Sequence, residues 1–230
     1  MKKLGLIGGM GPESTIPYYR DIVYGVQSKV GANFFPRLTI ESVNVFEVLD
    51  LCRKEDYGQL TDYLLGAINN VIACGADFAA LAANTPHIVF DALQKSSAIP
   101  LVSIVEASAA KAESEGFKRV GLLGTVFTMN GDFFKKPFIQ RGIEVIVPFD
   151  DEKAYVDKKI AEELELGIIK TDTRSAFLHI IERMKNDQDI QAIILGCTEL
   201  PLLFDNVIIP VKSLDTMKVH IEAIVEMILG

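Results

Sequence analysis

The sequence predicts an α/β protein of two similar halves, each built around a parallel sheet. Short apolar runs that end in glycine or polar residues alternate with longer segments whose apolar residues recur at helical spacing. The run at 118–125 mirrors the run at 2–9, and the run that ends at Cys197 mirrors the one that ends at Ala83. The first pair of motifs is separated by 116 residues and the second by 114, so the two pairs stay in step as a duplication predicts.

In the first half, four short strands are expected to alternate with helices, and turn-forming residues mark the boundaries. Ser14 or Thr15 is expected to cap the first helix, Gly75 to end the second and Pro86 to open the third. A polar loop is expected around 53–56. The expected strands are 3–7, 38–43, 77–83 and 101–104, and the expected helices are 16–30, 60–74, 87–94 and 106–115.

The second half is expected to repeat this alternation. Gly142 and Gly167 each follow a helical pattern and are expected to end it. The expected strands lie within 118–125 and at 143–149, 192–195 and 207–211, and the expected helices are 133–141, 155–166, 172–185 and 213–229.

Composition limits the classes of partner. The chain of 230 residues is 49% hydrophobic, which is typical of a well-buried globular protein, and its net charge of −8 disfavours nucleic acid and anionic membranes as partners. No apolar run reaches the roughly 18 residues of a membrane-spanning helix, and the first residues run directly into a strand. These features predict a cytoplasmic protein that acts on a small molecule.

Candidate site residues follow the strands, because ligands of parallel α/β sheets bind at the carboxyl ends of strands. We expect the ends of the two sheets to face one another across a cleft. The loop at 8–11 lacks the G-x-G-x-x-G spacing and runs into Pro12, so it does not predict a dinucleotide cofactor. The candidate residues are Met10, Asn84 and Thr85 in the first half and Thr125, Thr128, Cys197, Thr198 and Glu199 in the second.

Cys197 is the expected reactive group. It follows a buried strand and precedes a helix start, so backbone N–H groups and the helix dipole are expected to hold its pKa below the value of about 8.5 of a free thiol. The alternative is a small buried side chain that only fills space. Cys74 is expected in the core and Cys52 near the surface. Three cysteines without paired spacing predict neither a disulfide framework nor a metal site.

Taken together, these motifs resemble the aspartate/glutamate racemase family over the whole chain. The matching segments are Gly-Leu-Ile-Gly-Gly-Met-Gly-Pro-Glu-Ser-Thr at 5–15, 84–87, 121–125 with Thr128, 196–199, and 215–216 with His220. The resemblance implies two pseudo-symmetric, flavodoxin-like domains, 1–100 plus 211–230 and 101–210, with no cofactor and with assembly into a homodimer. It makes Cys197 the second catalytic cysteine, and it makes Met10, Asn84, Thr85 and Thr198 the groups that bind a substrate carboxylate.

Ala83 stands where the resemblance requires the first catalytic cysteine. Inverting a stereocentre needs a base on one face of Cα and an acid on the other, and a methyl group has no proton to give. Four interpretations are open: an engineered substitution that traps substrate, a natural enzyme in which Thr85 or water replaces the thiol, a one-cysteine decarboxylase of malonate-type acids, and a non-catalytic protein that binds amino acids.

We therefore expect a cofactor-independent, racemase-like isomerase that acts on aspartate or glutamate, impaired or one-sided because of Ala83. Relatives supply a cation from the loop after strand two for the distal carboxylate, and Arg53 or Lys54 could serve here. Glu165 lies near a place where some relatives carry a lysine, which weighs against an acidic substrate.

Overall fold

The structure, a computed structural model, describes residues 1–230 and divides the chain into two compact units. The first unit contains Met1–Ile104 and His220–Gly230, and the second contains Val105–Val219. Each unit holds a four-stranded parallel sheet with helices around it. The predicted α/β class with two parallel-sheet domains is therefore confirmed.

The sheet of the first unit has the strand order β2-β1-β3-β4, and every neighbouring pair is parallel. Both inner strands are buried along their whole length, as expected where helices cover both faces of a sheet. A 3-10 turn, Thr85–Val89, follows the third strand. The strands are β1 Leu4–Gly8, β2 Leu38–Ser42, β3 Phe78–Leu81 and β4 Leu101–Val102, and the helices are α1 Pro12–Val30, α2 Val45–Arg53, α3 Tyr57–Ala73 and α4 Phe90–Ser96.

The sheet of the second unit has the order β6-β5-β7-β8, which is the strand order of the first sheet repeated. A 3-10 turn, Leu164–Leu166, lies between two of its helices. The strands are β5 Arg119–Leu123, β6 Glu144–Ile146, β7 Ala192–Leu195 and β8 Lys212–Asp215. The helices are α5 Ile104–Ser114, α6 Val126–Asn130, α7 Asp132–Gln140, α8 Asp150–Glu162, α9 Thr171–Gln188 and α10 Leu200–Leu203. The last helix, α11 Thr216–Leu229, begins in the second unit and belongs to the first unit from His220 onward.

Local sequence signals explain where several elements begin and end. Helix α3 begins after Asp56, whose carboxylate accepts a hydrogen bond from the backbone N–H of Gln59 at 3.0 Å. Gly75 and Gly167 adopt φ values of 81° and 70° just after helical segments, which is the left-handed conformation that favours glycine and that the sequence predicted there. None of the helices is both long and apolar enough to cross a membrane.

The last strand differs from the sequence prediction. The predicted strand at 207–211 was wrong, because the strand that pairs with β7 is β8, Lys212–Asp215. The predicted helix at 213–229 is present, but it begins at Thr216 because β8 occupies the preceding residues. As an edge strand β8 buries only Leu214 and Asp215, so its sequence is mostly polar, whereas the apolar Ile208 is 93% exposed. The second unit extends to residue 219 and the first extends to 104, whereas the resemblance implied domains that end at 210 and 100.

The region after β2 also differs. Residues 45–53 form helix α2, which begins after Asn44 and was not predicted. The polar loop expected around 53–56 is present at 54–56, between α2 and α3. Cys52 is buried on the face of α2 that carries Val48 and Leu51, so the predicted surface placement was wrong. Cys74 is exposed because it lies just beyond the last turn of α3, so its predicted core placement was wrong as well.

Candidate active site

Cys197 lies at the carboxyl end of β7, where the sequence predicted it. The four residues of β7 are buried, and Gly196 connects the strand to the cysteine. The backbone N–H of Gly196 donates to the carbonyl oxygen of Leu123 at 2.7 Å, and a Cβ at residue 196 would stand only 2.9 Å from that same oxygen. A glycine is therefore required at residue 196 for the turn that leads to the thiol. Cys197 itself is 7% exposed.

The thiol is held by a carboxylate. Sγ of Cys197 donates to Oε2 of Glu199 at 2.9 Å, and the hydroxyl of Thr198 donates to the same oxygen at 2.9 Å. All three side chains are buried. The structure thus brings these three predicted residues together, and the sequence did not show that the carboxylate contacts the thiol directly.

Burial raises the pKa of the Cys197 thiol well above its usual range, and the charge of Glu199 and its hydrogen bond raise that pKa further. The prediction of a lowered pKa was wrong. Helix α10, which follows the cysteine, has only four residues and supplies little dipole, whereas the carboxylate of Glu199 lies in direct contact with the sulfur. At neutral pH the pair therefore holds a protonated thiol beside a carboxylate.

A second carboxylate, Glu165, also raises the pKa of Cys197. Its turn, Leu164–Leu166, packs against α10 and is anchored by Glu163, which is 2% exposed. The Glu163 carboxylate accepts hydrogen bonds from Lys159 at 2.5 Å and Thr173 at 2.6 Å, and these contacts lower its pKa to about 2. The Glu165 carboxylate, which raises the pKa of Cys197, therefore lies on a turn that the hydrogen bonds of Glu163 anchor.

Thr125 and Thr128 follow β5 and lie beside the segment that carries the thiol. Thr125 caps α6, and the two hydroxyl oxygens are 3.2 Å apart. A Cβ on Gly124 would stand 3.1 Å from the carbonyl oxygen of Gly196, so the ends of β5 and β7 are in close contact. Thr128 is fully buried and supports this edge, while Thr125 is half-buried.

In the first unit, the residues predicted around position 83 emerge at one edge of the sheet. Ile7 of β1 lies beside Leu81 of β3 in register, so the loop that contains Met10 and the loop that contains Ala83 leave the sheet together. Met10 is 8% exposed and Asn84 4% exposed, while Ala83 and Thr85 are half-buried. Arg53 is exposed at the last residue of α2 and makes neither an ion pair nor a side-chain hydrogen bond.

Two buried histidines, His87 and His220, support the Ala83 loop, and the sequence did not predict that the two rings lie together. The backbone N–H of Ile104 donates to Nε2 of His87 at 3.3 Å, so the ring carries its proton on Nδ1 and donates it to the carbonyl oxygen of Ala83 at 2.9 Å. His220 packs edge-on to His87 with ring centroids 6.3 Å apart. Burial lowers the pKa of His87 to about 3 and that of His220 to about 4, so both rings are neutral.

His220 reaches this cluster from the far end of the chain. It accepts a hydrogen bond from the hydroxyl of Tyr18 at 2.8 Å and donates to the carbonyl oxygen of Val102 at 3.0 Å. Tyr18 and His220 are 202 residues apart, so no local pattern could have paired them.

Comparison with known proteins assigns the chain to a family. The model of the family described as Asp/Glu/Hydantoin racemase matches residues 7–224. A candidate Asp/Glu racemase from Yersinia pestis and an aspartate racemase homologue from Pyrococcus horikoshii OT3 are each 36% identical over the full length of both chains, with TM-scores of 0.91 and 0.86. The broad specificity amino-acid racemase RacX of Bacillus subtilis (strain 168) is 26% identical over 216 residues, which are 93% of this chain and 92% of RacX. The chain therefore belongs to the Asp/Glu/Hydantoin racemase family.

Proposed function

We propose that the protein transfers a proton at the α-carbon of a free amino acid, with Cys197 as the group that gives or takes the proton and without a cofactor. The observation that carries this proposal is the 2.9 Å hydrogen bond from Sγ of Cys197 to Oε2 of Glu199 at the carboxyl end of a buried strand. A buried thiol in contact with a carboxylate is suited to proton transfer, since the two groups share one proton that either can hold.

In the proposed reaction, Glu199 takes the thiol proton and Cys197 acts as the base. The thiolate removes the α-proton, and the electron pair passes into the substrate carboxylate, whose oxygens gain negative charge. Asn84 and Thr85 donate hydrogen bonds to those oxygens, and the Thr198 hydroxyl joins them once Glu199 has taken the thiol proton and no longer accepts from it, which stabilises the carbanion. Return of the proton from the thiol to Cα completes the step with every atom conserved.

Ala83 makes this reaction one-sided in our proposal, because its methyl group cannot deliver a proton to the opposite face of Cα. The expected activity is exchange of the α-proton with solvent, with retention of configuration, for the enantiomer that presents its proton to Cys197. Aspartate and glutamate are the first substrates to test, with the unpaired guanidinium of Arg53 as the partner of a distal carboxylate.

The test is α-proton exchange in deuterated water, followed by NMR for both enantiomers of aspartate, glutamate and a panel of neutral and basic amino acids. We expect deuterium in one enantiomer of at least one substrate with its optical purity preserved. Cys197→Ala should lower the rate by about 10²–10⁴-fold, whereas Cys74→Ala, which removes an exposed thiol of the first unit, should not.

If amino acids bind but none exchanges, the protein is a binding protein and proton transfer by Cys197 is wrong. Equal rates in wild type and Cys197→Ala would equally contradict the proposal.

The single protonated thiol favours one alternative, decarboxylation of a malonate-type acid. The bond between Cα and one carboxyl carbon would break, carbon dioxide would leave with the electron pair staying on Cα, and Cys197 would protonate that carbon before regaining a proton from water. Carbon dioxide release from substituted malonates, together with no α-exchange of any amino acid, would favour this alternative over the racemase-like reaction.

A further inference from the structure

A cavity of about 240 Å³ lies in the first unit at the amino-terminal edge of its sheet. Arg37, Lys3 and Asp77 line it, and each immediately precedes one of three neighbouring strands. Leu4 is in register with both Leu38 and Phe78, so the three side chains start from adjacent positions. The Ala83 loop leaves the opposite, carboxyl edge of the same sheet, so this cavity is separate from the candidate active site.

The cations of the cavity have no anionic partner in the protein. Lys2, Lys3 and Arg37 line it, and none of them forms an ion pair with an acidic side chain, although the chain carries a net charge of −8. The ammonium of Lys3 donates to the carbonyl oxygen of Cys74, and that of Lys2 approaches only Sδ of Met227, at 3.4 Å.

The one acidic side chain in the cavity is already engaged. Oδ2 of Asp77 accepts the backbone N–H of Lys3 at 2.7 Å, and its single negative charge can offset only one of the three cations that line the cavity. The guanidinium of Arg37 is exposed and makes no side-chain hydrogen bond. The lining of the cavity therefore has an excess of positive charge with open donor positions.

In the second unit, the cations at two comparable places form ion pairs with acidic side chains. At the corresponding edge of its sheet, Arg119 forms an ion pair with Glu144 at 2.7 Å. In a cavity of about 210 Å³ in the same unit, Lys111 and Lys212 both pair with Glu115. At these two places in the second unit the cations are paired, whereas the cations of the first-unit cavity are not.

The remaining walls of the first-unit cavity are apolar. Phe34, Pro36 and Ile228 contribute to the lining. The volume is below the roughly 300–1,000 Å³ of pockets that take drug-sized ligands, which limits the guest to a small molecule. A guanidinium beside an ammonium binds phosphate or carboxylate oxygens by charge-assisted hydrogen bonds, and the apolar wall favours a carbon skeleton on the anion.

We propose that this cavity binds a small organic anion, a phosphate or carboxylate group on a compact apolar body, through Arg37, Lys2 and Lys3. The site is independent of proton transfer at Cys197.

The exposed thiol of Cys74 lines the cavity and serves as its reporter, because Cys52 and Cys197 are buried. The probes are phenyl phosphate, benzoate and inorganic phosphate, with benzyl alcohol as the neutral control, all at constant ionic strength in chloride. Alkylation of Cys74 by the uncharged reagent iodoacetamide is measured by peptide mass spectrometry, and binding is measured directly by calorimetry.

We expect phenyl phosphate or benzoate to bind and to slow alkylation of Cys74 several-fold, inorganic phosphate to bind more weakly, and benzyl alcohol not to bind. Comparing phenyl phosphate with benzoate shows which anionic group the cavity prefers. Arg37→Gln should weaken binding about tenfold, whereas the matched change Arg119→Gln, at the neutralised edge of the other sheet, should leave it unchanged.

Absence of both heat and protection with all three anions up to about 10 mM would overturn the proposal, since an affinity that weak indicates no specific site. So would equal effects of Arg37→Gln and Arg119→Gln, because binding would then follow overall charge and not this cavity. A preserved thermal unfolding midpoint in each variant shows that a loss of binding is not a loss of folding.

Discussion

At the scale of single residues, two carboxylates control one thiol. Glu199 contacts Sγ of Cys197 directly, and Glu165 acts from the neighbouring turn. The charge of each carboxylate disfavours the negatively charged thiolate of Cys197. Glu199 and Cys197 are buried, so the effect of Glu199 is weakly screened, whereas Glu165 is exposed and its smaller effect is screened by water. The cysteine is consequently held ready to donate a proton, and it becomes a base only when Glu199 takes that proton.

Removing these carboxylates in turn should lower the pKa of Cys197 by different amounts. Glu199→Gln removes the larger charge effect and should lower the pKa most, and Glu165→Gln should lower it less. Glu162→Gln changes an exposed residue of the same region and serves as the matched control. The measurement is the pH dependence of thiolate absorbance, with the same change in a Cys197→Ala background as the blank. An equal or larger shift in Glu165→Gln would contradict this account of the site.

The sequence located this residue but not its electrostatics. The apolar run that ends at Gly196 was sufficient to place Cys197 at the end of a buried strand. The direction of its pKa shift depends on the rotamer of Glu199 and on the path of the turn at Leu164–Leu166, and neither follows from residue spacing. For the same reason the pairing of Tyr18 with His220 gave no signal.

At the scale of elements, strands β1 and β5 hold the same position in their two sheets and carry corresponding glycines, Gly5 and Gly121, whose surroundings differ. A Cβ on Gly5 of β1 would stand 2.4 Å from Cγ2 and 2.7 Å from Cβ of Val71 on α3. A Cβ on Gly121 of β5 would stand 2.7 Å from Cδ1 of Ile193 and 3.0 Å from Cε of Met184. Val71 is β-branched and rigid, whereas the atoms near Gly121 are the far ends of side chains that can move.

Gly5→Ala should therefore destabilise the protein more than Gly121→Ala. The expected loss of unfolding free energy is about 1–3 kcal/mol for Gly5→Ala and about 1 kcal/mol or less for Gly121→Ala. Urea unfolding followed by circular dichroism measures both, and Gly5→Ala combined with Val71→Ala should recover part of the loss. Equal losses in the two single variants would show that the helix above Gly5 adjusts as easily as the side chains above Gly121.

Elements with strong apolar periodicity were predictable, and those stabilised by tertiary contacts were not. Strand β7 was predicted at its observed limits because all four of its residues are buried and apolar. Strand β8 was missed because an edge strand needs only one buried face, and pairing with β7 determines it. Helix α2 was missed because its nine residues span little more than two turns, which is too short a stretch for helical spacing to stand out.

At the scale of the whole molecule, acid sensitivity should originate in the first unit. It contains both buried histidines, His87 and His220, whose pKa values are lowered from 6.5 to about 3 and about 4. The unfolded chain binds these protons below about pH 6.5 while the folded unit does not, so protons favour unfolding. The stabilisation is complete above about pH 6.5 and is lost as the pH falls towards 4 for His220 and towards 3 for His87.

Unfolding free energy should accordingly decrease between pH 6.5 and 4, by up to about 1.4 kcal/mol per pH unit for each histidine. Urea unfolding at closely spaced pH values measures this slope. His220→Gln should reduce the slope, and His179→Gln, which changes an exposed residue of α9, should leave it unchanged. A slope in His220→Gln as steep as in wild type would show that other groups cause the acid sensitivity.

At the scale of the proposed reaction, we propose half of a two-sided proton-transfer site, with Cys197 as one acid or base and Ala83 in the place of the other. Racemisation by Ala83→Cys, measured by chiral chromatography on the substrate that shows α-exchange, tests this most directly. We predict a gain on the order of 10²-fold or more over wild type, a much smaller gain for the size-matched Ala83→Ser, and none for Ala83→Cys combined with Cys197→Ala. A folded Ala83→Cys protein that racemises no faster than wild type would contradict the account.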